Sequence, residues 1–88
     1  MILFEITHDY TEEGDGMKGY RYGSPTKDQA DNPLEYRFKL LDDDGIVYYR
    51  GRCVEDAFED LMDWGSWYAG ATEVWGRKGN NKYEMIIG

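Results

Sequence analysis

The 88-residue chain carries one cysteine, Cys53, so no intrachain disulfide staples it. Small secreted domains usually hold several, which makes the cytoplasm the expected compartment. One histidine, His8, is the chain's sole imidazole. One His and one Cys do not make a zinc site, and His8 stands in no nucleophile–base motif. No glycine-rich phosphate loop is present. No catalytic residue, metal or cofactor is therefore expected. Long apolar runs are missing too. Ile2-Leu3-Phe4 is broken by Glu5 and preceded by no basic segment, so it reads as a strand, not a leader or a membrane span. Positive charge is scarce: 10 Lys and Arg stand against 18 Asp and Glu, a net charge of −8. That balance argues against nonspecific binding of nucleic acid.

What is present suits one small folded domain over residues 1–88, with 41% hydrophobic and 16% aromatic residues. Residues 2–10 alternate as a strand, with Ile2, Phe4 and Ile6 on one face. Residues 11–33 hold both prolines and little apolar periodicity. They read as a long surface loop, functional or mobile, that Tyr20 and Tyr22 are placed to pin. Leu34 to Cys53 is the clearest unit, a hairpin turning at Asp42-Asp43-Asp44-Gly45. Either turn length pairs positions whose numbers sum to 89 or 87. Tyr36, Phe38, Leu40, Val47, Tyr49 and Cys53 then share one face, and Arg37, Lys39, Tyr48, Arg50 and Arg52 the other.

From Val54 the apolar spacing turns helical through Ala57, Phe58, Leu61 and Met62 to Trp64, with Gly65 as the expected cap. Asp60 and Asp63 then fall near the C-terminal end, where the helix dipole disfavours them. A second hairpin, 71–75 with 83–87, closes the chain. The expected fold is α+β: one antiparallel sheet of about five strands, in the order β-β-β-α-β-β, with one amphipathic helix on its apolar face.

Charge is uneven. Residues 1–16 hold Glu5, Asp9, Glu12, Glu13 and Asp15 without a Lys or Arg. The predicted helix holds Glu55, Asp56, Glu59, Asp60 and Asp63, also without one. Carboxylates three and four apart on a helix lie about 5–6 Å from one another, close to the interval between phosphates. Such a row suits a groove built for nucleic acid, and Asp42, Asp43 and Asp44 extend the candidate surface. The triple-Asp stretch lacks the alternating ligands and twelfth-position glutamate of a calcium loop, and its twelfth residue is Cys53. It reads as a turn. Trp64, Trp67, Tyr68 and Trp75 form a candidate apolar interface, since Trp and Tyr are enriched at binding hot spots.

The segment Leu41-Asp42-Asp43-Asp44-Gly45-Ile46-Val47-Tyr48-Tyr49-Arg50-Gly51-Arg52, followed by Phe58, Leu61, Trp64 and Ala69-Gly70-Ala71-Thr72-Glu73, resembles small acidic proteins of bacteriophages and mobile elements. The resemblance implies an inhibitor of host defence, of the anti-CRISPR or anti-restriction kind. The leading expectation is thus a non-enzymatic interaction module that binds a basic, nucleic-acid-handling host protein or nucleoprotein complex by mimicry of nucleic acid. A homodimer built on the aromatic cluster or a free sheet edge is the second. A single-strand binder using Arg37, Lys39, Tyr48, Arg50 and Arg52 is the third; the net charge stands against direct nucleic-acid binding.

Overall fold

Strand periodicity at both ends of the chain and one helical stripe between them organise the molecule. The computed structural model describes residues 1–11 and 15–88. Its elements are β1 (Ile2–Asp9), β2 (Arg21–Gly23), β3 (Tyr36–Leu41), β4 (Val47–Cys53), α1 (Phe58–Ala69), β5 (Glu73–Lys78) and β6 (Glu84–Ile87), with a 3-10 turn at Lys27–Asp31. The fold is α+β. All six strands form one antiparallel sheet in the order β2-β1-β4-β3-β5-β6, and α1 packs across one face. The sixth strand, β2, lies inside the segment expected to be a loop. It is three residues long, exposed, and lacks the apolar alternation that marks a buried strand.

The central hairpin pairs Tyr36 with Cys53, Phe38 with Gly51 and Leu40 with Tyr49, the first of the two expected registers. At the turn a register shift sets Val47 opposite Leu41. Phe4, Ile6, Phe38, Leu40, Tyr49 and Cys53 face the helix and meet Leu61 and Trp64 there. Trp64 packs edge-on against Phe4 at 5.6 Å and tilted against Tyr49 at 5.0 Å. Tyr22 stacks on Phe4 at 5.0 Å and Tyr20 on Trp64 at 5.7 Å, so these tyrosines do pin their segment to the core.

The helix begins and ends later than its periodicity suggested. Val54 is buried and donates its N–H to the Leu3 carbonyl, and Ala57 donates to the Val54 carbonyl, so 54–57 is a turn that leads into α1. Gly65 lies inside the helix. A Cβ there would stand 2.9 Å from Leu40 Cδ1, so glycine lets α1 settle onto the sheet. The cap is Gly70, left-handed at φ 70°, whose N–H reaches Ser66 while that of Ala71 reaches Gly65. This placement removes the expected dipole conflict: Glu59 and Asp60 sit in the first turn, where negative charge is favoured. Among the described residues no helix is long and apolar enough to cross a membrane.

Candidate functional site

The five acids expected in one helical row divide between two elements. Glu59, Asp60 and Asp63 lie on α1, while Glu55 and Asp56 are exposed in the turn before it. Asp63 neighbours both Glu59 and Asp60 at four- and three-residue spacing. Asp60 and Asp63 share a shallow groove of about 350 Å³ with Tyr22, Trp64, Trp67 and Tyr68. Two of the acids, Asp60 and Asp63, and three of the aromatics, Trp64, Trp67 and Tyr68, read separately from the sequence, thus line one groove. Trp67 is 83% exposed and Tyr68 57%. Trp64 is instead core, and its indole Nε1 is buried with no hydrogen-bond partner among the described residues. Through Tyr68 the groove adjoins a wider hollow of about 790 Å³ that Tyr10, Met17, Ile46 and Tyr48 also line.

Trp75 does not join that cluster. It lies on β5 opposite Lys39, on the sheet face turned away from α1, and donates its indole N–H to Glu73 at 2.8 Å. Strand alternation separates it from Val74, which is buried on the helix side.

Asp42, Asp43 and Asp44 bring carboxylate oxygens within 4.8 Å of one another at the β3–β4 turn. Asp42 is committed to holding that turn. Its Oδ1 accepts the N–H groups of Asp44 and Ile46, and its Oδ2 accepts the Tyr48 hydroxyl at 3.1 Å. The Ile46 N–H, with the Tyr48 hydroxyl and Asp44 N–H, holds the Asp42 carboxyl below its ordinary range despite some desolvation. Asp42 also pushes the Tyr48 hydroxyl upward. Glu12 and Glu13, counted with the acidic N-terminal segment, lie outside the described residues.

The open face carries the residues expected there from the hairpin, Arg37, Lys39, Tyr48, Arg50 and Arg52, and more besides. Arg21 on β2 and Arg77 on β5 fall on the same side, each in register with a residue of that face. Glu5 sits between Arg21 at 2.7 Å and Arg52 at 2.9 Å. Those hydrogen bonds, Arg52 first and Arg21 second, hold its carboxyl below the usual range. Sequence reasoning missed Arg77 and Tyr83 as members of this face. The alternation of Val74 and Gly76 with Trp75 and Arg77 was the available signal.

His8 and Cys53 stay apart. A bulge after Ile6 sets His8 opposite Arg50 on β1, where it is exposed and stacks on Tyr10 at 5.9 Å. Cys53 is fully buried opposite Phe4, and burial pushes its thiol up to about 12. Such a thiol is a core residue with little thiolate available. Compared with protein-family models, with curated proteins and with solved structures, the chain finds no match in any of the three.

Proposed function

We propose that the chain is a protein-interaction module whose helix side docks on a basic, nucleic-acid-handling partner. The observation that carries this reading is Trp67, 83% exposed and flanked by Asp60 and Asp63 in one groove. An indole left in water forgoes about 4 kcal/mol of burial that a partner can supply. The carboxylates around it select a cationic surface and speed its approach, while the aromatics set residence time. Glu59, Asp60 and Asp63 present charge at about the spacing of phosphates along a strand. The resemblance to small acidic phage proteins makes a bacterial nuclease or guide-RNA complex the partner class to test first, and the host cytoplasm the place.

Self-association is the second reading, favoured by one observation. The edge strand β6 leaves Met85 51% and Ile86 45% exposed, and exposed apolar edges invite pairing with another chain. Light scattering across a concentration series separates the two, because a strictly monomeric protein removes its support.

The main test is capture from bacterial lysate on three immobilised baits, the natural chain, Trp67→Ala and the pair Asp60→Lys with Asp63→Lys, quantified by mass spectrometry. A basic nucleic-acid-handling protein held by the natural bait, released by salt and lost at least tenfold from both variant baits supports the reading. Equal capture on all three baits contradicts it.

A further inference from the structure

Every arginine of the chain, Arg21, Arg37, Arg50, Arg52 and Arg77, lies on the open face of the sheet, with Lys39 among them. In a protein with 18 acids and 10 bases, that concentration is far from an even spread. The pairing is also unfavourable for the fold alone. Arg37 stands directly opposite Arg52 on one side and Arg77 on the other, and Lys39 directly opposite Arg50. Like charges paired across strands destabilise a sheet. Glu5 pairs with both Arg21 and Arg52, whereas Arg37, Lys39, Arg50 and Arg77 have no carboxylate partner among the described residues. The Arg77 Nε is moreover buried without a hydrogen-bond acceptor among them.

Aromatic rings stand among these cations. Lys39 Nζ is 5.3 Å from the Trp75 ring centroid and 4.8 Å from that of Tyr83, and the Arg77 guanidinium lies 4.4 Å over Tyr83. We propose that this face binds single-stranded nucleic acid, with phosphates on Arg37, Lys39, Arg50 and Arg77 and bases stacked beside Trp75 and Tyr83. Arginine forks match phosphate oxygens, and strands about 4.8 Å apart bring cations to successive phosphates. Aromatic rings set among cations favour a single strand, whose bases are free to stack, over a duplex. The net charge of −8 does not prevent this. The molecule is 21 Å across its shortest axis, and exposed charges are largely screened beyond about 8 Å at physiological salt. The acids of α1 lie on the far side of the sheet. This inference is independent of the docking reading, since the two surfaces share no residue.

The test is fluorescence anisotropy with a fluorescein-labelled oligothymidylate of about twelve nucleotides. Four phosphate contacts give a log–log salt slope of about −2.8, so affinity is expected to fall about 50-fold between about 50 and 200 mM salt. Arg37→Glu and Arg50→Glu should each weaken binding at least tenfold at the lower salt. Lys27→Glu, an equal charge change on the 3-10 turn, should stay within twofold. Arg37→Glu relieves two like-charge pairs, so its melting temperature should hold or rise, which separates lost binding from lost fold. No binding at the lower salt, or binding indifferent to both arginine changes, overturns the proposal. So does self-association abolished by Arg37→Glu without an anisotropy change, which assigns the face to the acidic side of a second copy.

Discussion

Glu5 is the residue on which the open face turns. It is a largely buried carboxylate on β1 that reaches guanidinium groups from β2 and β4, and so ties three strands together. Its folded pKa lies below the unfolded value, so its stabilisation is full above the ordinary carboxylate range. It is lost as pH falls through that range and below. Asp9 acts with the same sign. Burial opposes its ionisation, but the Thr11 hydroxyl, the Thr11 N–H and the Met17 N–H together outweigh it. Denaturant titrations of the natural chain and Glu5→Gln should therefore differ by about 2 kcal/mol at neutral pH, the worth of charged hydrogen bonds. The two curves should converge under acid; a gap that persists there contradicts the assignment. Gly51 makes a sharper test of packing. A Cβ there would meet the Glu5 carbonyl oxygen at 1.9 Å and the Phe38 ring at 2.7 Å. Gly51→Ala is expected to cost about 3 kcal/mol or prevent folding, read from the denaturation midpoint.

At the scale of elements, the hairpin was the most legible part of the chain. Its alternation and turn residues are local, so register and faces follow from arithmetic on residue numbers. The helix was less so, because its boundaries depend on contacts outside it. Val54 is held by Leu3, and Gly65 looks like a cap until Leu40 is known to press against it. The short β2 was not legible. Its support is the edge of β1 and two tyrosines on the core, neither of which leaves a periodic trace. The true cap carries its own expectation. Gly70→Ala forces an alanine to φ 70° and should lower stability by about 1–2 kcal/mol. Thermal melts check this, with Ser66→Ala as a neighbour expected to change little.

Across the whole molecule, the sheet separates two kinds of surface. One side presents acids and exposed aromatics from α1 and β2, and the other gathers all five arginines. The sequence already carried half of this division, in the acid-rich stretch around α1 and the cations of the central hairpin. Joining Trp67 to Asp60 and Asp63, or Arg77 to Arg37, required strand order and the helix position, which no local pattern encodes. The same information moved Trp75 from the apolar cluster to the arginine side.

The most direct test of the two-sided molecule is a backbone amide chemical-shift map of the isotopically labelled protein, titrated in turn with an arginine-rich peptide and with oligothymidylate. The peptide is expected to shift amides of 59–68 and leave those of the central strands still. The oligonucleotide is expected to shift 37–39, 50–52 and 75–77 and spare α1. Two probes moving one common set of amides, or neither moving any, would contradict the division of labour between the faces.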